Sequence, residues 1–148
     1  MVIRLSVRTR VDLEALEAGL SLLLIRITAN VRILTPSGWS HSRVGILDAG
    51  NPVTLIPRRV WSGASVDFLR QISQPIHGLG STEPDAIRGR LGRVILTLED
   101  EEASSPPIET VAYLLDDDRA PLLLGCEGVF TRATLTTNLA AAQACLES

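Results

Sequence analysis

The sequence predicts a mainly β protein with two or three short helices. Residues 22–34 alternate leucine and β-branched side chains with arginine, threonine and asparagine, a pattern typical of a strand. Two shorter apolar runs, 42–47 and 53–56, are bounded by turns that contain proline or glycine. Residues 91–98 and 108–115 read as two further strands, and the polar, acidic loop between them is typical of a solvated hairpin tip.

The N-terminal elements lead to one aspartate. Asp12 is a suitable N-cap for a short helix over residues 12–18, which Gly19 would end. The turn at residues 35–39 contains proline and glycine, and it would join the strand 22–34 to a second strand over 42–47. Asp48 would then directly follow the second strand of this hairpin.

The second half of the chain alternates short strands and turns. Pro57 is expected to begin one helical turn, whereas residues 65–73 fit a helix or a strand equally well. Residues 122–124 would form the last core strand and 133–137 a shorter one. Residues 138–145 are rich in alanine and predict a terminal helix.

A length of 148 residues indicates one domain over residues 1–148. We expect an N-terminal extension (1–21), a core (22–137) and a C-terminal tail or helix (138–148). Acids interrupt the region behind the first arginines, so no signal peptide is visible, and the apolar runs fall short of the roughly 20 residues of a membrane span. We therefore expect a cytoplasmic protein that does not enter a membrane.

Composition argues against several classes of function. The chain has fourteen arginines and no lysine, but they are scattered, the net charge is −3 and aromatic residues are few, so we expect no nucleic-acid partner. Cys126 and Cys145 do not make a disulfide framework, and His41 and His77 are isolated. No group of residues has metal-ligand spacing, so no metal and no cofactor are expected.

The strongest candidate for chemistry is Asp48, which follows an apolar run and is followed by Ala49 and Gly50. A strand that ends at an acidic residue and is followed by a tight turn can expose that carboxylate to a substrate. The alternative is an Asx-turn, in which the carboxylate only caps the next backbone N–H groups. The other aspartates stand in polar, loop-like surroundings.

Three short motifs occur in a fixed order between Ser42 and Thr137: Leu-Asp-Ala-Gly at 47–50, Gly78-Leu79-Gly80, and Leu123-Leu124-Gly125. This order resembles the retropepsin-like aspartic proteases. The resemblance implies a closed, mainly antiparallel β-barrel that forms a homodimer. It further implies that Asp48 is catalytic, that Ala49, Gly50 and Asn51 belong to the active-site loop, that Gly78 to Gly80 form a flap over the substrate, and that Leu123 to Gly125 lie beside the catalytic turn and lead into a short helix.

The function that the resemblance implies is an aspartic endopeptidase acting on a peptide or protein substrate. One Asp48 per subunit would meet its copy across the two-fold axis. The pair would share a proton because adjacent carboxylates do not both ionise readily. The pair would activate one water, with no cofactor.

The sequence departs from the family at Ala49, where family members carry threonine or serine. That hydroxyl normally bonds across the dimer and braces the two active-site loops. Retroviral members also pair an acid near the Pro52 position with an arginine near the Cys126 position, and both are absent here. Two alternatives therefore stand beside the active protease: a catalytically weak or inactive domain of the same type that dimerises or holds peptides, and an unrelated small β protein.

Overall fold

A computed structural model describes residues 1–76 and 85–148 as a mainly β structure. The strands are β1 (Val2–Val11), β2 (Leu23–Thr35), β3 (Gly38–Trp39), β4 (Arg43–Leu47), β5 (Thr54–Ile56), β6 (Asp67–Phe68), β7 (Gln74–Pro75), β8 (Arg88–Glu99), β9 (Ile108–Leu115), β10 (Leu123–Leu124), β11 (Thr134–Asn138) and β12 (Gln143–Glu147). The helical segments are α1 (Leu13–Glu17), α2 (Arg58–Trp61) and a kinked turn over Cys126–Phe130. The predicted mainly β class with few short helices is confirmed.

Six strands close into a barrel in the order β2, β4, β10, β5, β9 and β8, because β8 pairs back onto β2. The expected closed barrel is thus present, but it is not wholly antiparallel. β10 runs parallel to β4, and β9 runs parallel to β5. The mixed pairing arises because strands from distant parts of the chain are inserted beside one another, so hairpin connections do not fix their directions.

The barrel is closed around an apolar core supplied by alternate residues of the long strands. Val31 and Ile33 of β2, Leu96 of β8 and Leu114 of β9 are almost completely buried. Neighbouring residues on β2, such as Asn30 and Arg32, carry polar side chains. This is the period-two pattern that predicted the strands.

The sheet also continues outside the barrel, from β2 to β1, β12 and β11 in that order. β1, within the expected N-terminal extension, is a ten-residue strand that pairs with both β12 and β2. Its side chains Ile3 and Leu5 are buried in the same core cluster as the barrel residues. The first residues of the chain are therefore part of the packed structure.

Asp100, in the loop after β8, connects β1 to the barrel. Its carboxylate accepts hydrogen bonds from the backbone N–H groups of Arg4 at 2.7 Å and of Glu102 and Ala103 at 2.8 Å. These hydrogen bonds stabilise the ionised carboxylate and so lower the pKa of Asp100 below its ordinary value, and the bond from Arg4 has the largest effect. The acidic loop after β8, expected to be a solvated tip, thus also fastens β1.

The predicted helix over residues 138–145 is wrong. Asn138 ends β11, its side chain accepts a hydrogen bond from the backbone N–H of Ala141 in a turn, and the chain returns as β12. Alanine favours a helix, but strand pairing outweighs that preference here. β12 pairs with both β1 and β11, and it buries Ala144 and Leu146.

The predicted N-terminal helix is present as α1. Asp12 is its N-cap, and the Asp12 side chain accepts hydrogen bonds from the backbone N–H groups of Glu14 and Ala15. Gly19 follows with a φ of +80°. The helix thus stands between β1 and β2, which continue to pair with each other as far as Val11 and Leu23.

Over the ranges 1–76 and 85–148, no helix is long and apolar enough to cross a membrane.

Replacing Leu146 by alanine should test the C-terminal strand. Because Leu146 is 3% exposed and packs in the core cluster, Leu146→Ala should lower the free energy of unfolding by about 2–5 kcal/mol. The matched control is Leu139→Ala, since Leu139 lies in the turn before β12 and is 44% exposed, and it should cost no more than about 0.5 kcal/mol. Urea unfolding measures both, and equal effects would contradict the packing of β12.

Candidate active site

Asp48 stands immediately after β4, half-buried, at the start of a tight turn. Its backbone N–H donates to the carbonyl of Leu124 at 3.0 Å, and its own carbonyl accepts from the backbone N–H of Asn51 at 3.1 Å. The side-chain Oδ1 accepts from the backbone N–H of Gly50 at 3.1 Å. One carboxylate oxygen therefore shapes the turn, as the Asx-turn alternative predicted.

The other carboxylate oxygen, Oδ2, has no hydrogen-bonding partner within the described residues. Ala49 and Gly50, the next two residues, are exposed, and Asn51 is half-buried. The turn thus holds the carboxylate in one orientation and leaves an acceptor oxygen available to a ligand, a water or a second subunit.

The turn is positioned by β10, which lies between the two strands that the turn connects. β10 pairs in parallel with β4, Leu124 opposite Leu47, and antiparallel with β5, Leu123 opposite Leu55. The backbone N–H of Ile46 also donates to the carbonyl of Leu122 at 2.9 Å. β4 and β5 therefore do not pair with each other as a hairpin, and the segment 47–54 that connects them passes over the end of β10.

Gly125 passes directly against the chain that follows the turn. Its backbone N–H donates to Thr54 Oγ1 at 3.1 Å in a fully buried contact. A Cβ atom at this position would overlap the backbone carbonyl of Val53 and lie 2.8 Å from the Thr54 nitrogen. Glycine is required here because only its lack of a side chain allows the two backbones to approach so closely.

The kinked turn after Gly125 forms hydrogen bonds with the segment that follows the Asp48 turn. The backbone N–H of Cys126 donates to the carbonyl of Asn51 at 2.9 Å, and that of Glu127 donates to the carbonyl of Pro52 at 3.0 Å. The thiol of Cys126 lies 3.1 Å from the carbonyl of Ala49 and donates to it. Cys126 is a free, half-buried cysteine that contacts the loop directly.

The structure brings Asp48, Ala49, Gly50 and Asn51 together with Leu123, Leu124 and Gly125. The predicted flap residues Gly78, Leu79 and Gly80 lie outside the described residues. On either side of them, Gln74 of β7 pairs with Gly89 of β8. No group of three or more potential metal ligands occurs in the ranges 1–76 and 85–148.

Thr54 has a structural role that was not among the sequence-based predictions. It is fully buried, and its hydroxyl is the acceptor that satisfies the Gly125 N–H. A lone hydroxyl residue between Val53 and Leu55 was a usable signal, since a polar side chain in a buried strand requires a partner. The thiol contact of Cys126 carried no such signal.

No model of a known protein family matches the chain, and no curated protein is significantly similar to it in sequence.

Substitution of Gly125 tests how the site is held. Gly125→Ala forces Val53 and the following backbone to move, so we expect a loss of about 3 kcal/mol or more in the free energy of unfolding. The control is Gly63→Ala, because nothing lies within 4 Å of an added Cβ there and the change should stay within about 1 kcal/mol. Urea unfolding of both variants gives the comparison, and similar stabilities would show that Gly125 does not pack against Val53.

Proposed function

We propose that the chain is one subunit of a homodimeric aspartic endopeptidase whose active site is built from two copies of Asp48. The observation that carries the proposal is the arrangement around Asp48. The acid-bearing turn lies against Leu124 and Gly125, and a short helical turn follows, which are the segments that the resemblance pairs.

The Oδ2 atom of Asp48, which receives no hydrogen bond from residues 1–76 or 85–148, is the atom that we propose takes part in the reaction. In the dimer, one Asp48 is ionised and its copy is protonated, because the shared proton relieves the repulsion between them. The ionised carboxylate takes a proton from a water held between the two, and the oxygen of that water attacks the peptide carbonyl carbon. The protonated carboxyl meanwhile donates to the carbonyl oxygen. Breaking of the C–N bond with protonation of the leaving nitrogen gives an acid and an amine.

Ala49 favours a second candidate, a domain of the same type that dimerises or holds peptides with little or no hydrolysis. Ala49 supplies no hydroxyl to brace a partner's loop. Its carbonyl is used within the chain, where it accepts from the Cys126 thiol. The two candidates differ in whether peptide bonds are cleaved.

Asp48→Asn is the direct test of the proposed activity. The amide keeps an acceptor for the Gly50 N–H but removes the titrating group, so folding should persist and cleavage of a peptide library at mildly acid pH should be abolished. The control is Asp67→Asn, the same chemical change at an exposed residue of β6. It should cleave as the unmodified protein does.

Two results would separate the candidates. Cleavage that survives in Asp48→Asn sinks the protease assignment. No cleavage by the unmodified protein, with a dimer still present, favours the peptide-holding candidate.

Ala49→Thr should restore the missing brace. Two new hydrogen bonds across the dimer, at about 1 kcal/mol each, should tighten the dimer by roughly tenfold or more and raise activity at low protein concentration. Ala140→Thr, in the exposed turn after β11, is the control and should leave the dimer unchanged. Analytical ultracentrifugation measures both, and an unchanged dimer in Ala49→Thr would mean that other contacts set its strength.

A further inference from the structure

The thiol of Cys126 contacts the middle of the Asp48 turn. Cys126 Sγ lies 3.1 Å from the carbonyl oxygen of Ala49 and donates to it. Within residues 1–76 and 85–148, no other group donates to that carbonyl. The backbone contacts of the same segment go instead to the carbonyls at positions 51 and 52, at the end of the turn and after it. The Ala49 carbonyl therefore depends on the thiol for its hydrogen bond.

That carbonyl belongs to the peptide group that also holds the Asp48 side chain. The carbonyl of Ala49 and the N–H of Gly50 are the two polar ends of one planar unit, and in a trans peptide they point in opposite directions. The N–H donates to Asp48 Oδ1 at 3.1 Å, and the carbonyl accepts from Cys126 Sγ. The carboxylate and the thiol thus hold one rigid group from its two sides. A rotation of the group that breaks one contact breaks the other.

A second conformation is accessible to this turn because Gly50 is its third residue. The N–H of Asn51 donates to the carbonyl of Asp48 at 3.1 Å, so Ala49 and Gly50 are the central residues of a β-turn. Turns of types I and II share this hydrogen bond but differ in the orientation of the central peptide, and type II requires a positive φ at the third residue. The φ of Gly50 is not positive, but glycine adopts positive values readily. In the rotated form, the Gly50 N–H would point away from the Asp48 carboxylate.

The backbone of Cys126 is fixed well enough for its thiol to favour one of these two forms. The Cys126 N–H donates to the carbonyl of Asn51 at 2.9 Å, and the Cys126 carbonyl accepts from the N–H of Thr131 at 3.1 Å. The preceding residue, Gly125, is packed against the backbone of Val53. The thiol is therefore presented to the turn from a segment that is bonded on both sides of it.

We propose that Cys126 is a positioning residue for Asp48 and acts through the peptide group between Ala49 and Gly50. Its thiol stabilises the orientation of that peptide in which the Gly50 N–H holds Asp48 Oδ1. Ala49 has only a methyl side chain, so it offers no hydrogen bond of its own to brace the turn. The inference rests on the proposed function for its effect on hydrolysis, but not for its effect on the turn.

The test removes the thiol and then returns a donor to the same position. Amide hydrogen exchange at Gly50, measured by NMR, should be about threefold or more faster in Cys126→Ala, since an S–H···O bond is weak and shifts the balance between the two turns by a few-fold. Cys126→Ser carries a hydroxyl donor on the same Cβ and should restore most of the protection. The control is Cys145→Ala, which changes the other cysteine, on β12, and should leave Gly50 exchange unchanged.

A second amide distinguishes this role from a general loosening of the loop. The Asp48 N–H donates to the carbonyl of Leu124, and that bond does not involve the peptide between residues 49 and 50. Its exchange should therefore be the same in the unmodified protein and in all three variants. A rise in exchange at both Asp48 and Gly50 in Cys126→Ala would show that the thiol supports only the fold, and the positioning role would be wrong.

Peptide hydrolysis gives a readout at the proposed reaction. Cys126→Ala should lower kcat by about twofold or more because the carboxylate is less well oriented, and KM should change little because the inference gives Cys126 no contact with substrate. Cys126→Ser should recover most of the lost kcat. Cys145→Ala should keep both constants of the unmodified protein.

The outcomes separate this inference from the proposed hydrolysis. Unchanged Gly50 exchange in Cys126→Ala overturns the inference whether or not the protein cleaves peptides. So does an unchanged kcat in a protein that cleaves, or exchange in Cys126→Ser that is as fast as in Cys126→Ala. If Gly50 exchange is faster in Cys126→Ala and restored in Cys126→Ser, but the unmodified protein cleaves no peptide, the role of the thiol in the turn stands and the protease assignment fails.

Discussion

The insertion of β10 between β4 and β5 is the constraint on which the rest of the structure depends. It supplies two of the six pairings that close the barrel, and its carbonyl at Leu124 fixes the backbone of Asp48. The insertion is possible only because Gly125 has no side chain and because the Thr54 hydroxyl satisfies the Gly125 N–H. The same strand therefore closes the barrel and fixes the geometry of the candidate site.

The sequence predicted the strands that are long or strongly alternating, because their pattern is local. β2, β8 and β9 all lie close to their expected positions, as does α1 with its Asp12 cap. The failures are at the chain ends, where β12 replaces an expected helix and β1 was not foreseen. Both strands are held by partners distant in sequence, and an alanine-rich segment shows its helical preference but not the neighbour that overrides it.

The sequence predicted which residues form the candidate site, but it did not predict the contacts that hold them in place. Asp48 is conspicuous in the sequence because an apolar run ends on it, and the Leu123 to Gly125 segment is conspicuous because glycine cuts off another. The parallel pairing of β10 with β4 and the contacts of Thr54 and Cys126 depend on the packing of segments about seventy residues apart, which no local pattern records. The exposure of Leu22 to Ile25 was likewise not predictable, because the alternating pattern of residues 22–34 indicates a strand but not which part of it is covered in the folded chain.

Because the Asp48 turn is completed by Leu124 and the residues after it, the order of synthesis matters. A nascent chain that has emerged only as far as β9 has a gap between β4 and β5 and no carbonyl to fix Asp48. Non-local pairing of this kind is slow to form and leaves strand edges open until it does. The Asp48 carboxylate thus reaches its final orientation only after residues 122–125 have entered the barrel between β4 and β5.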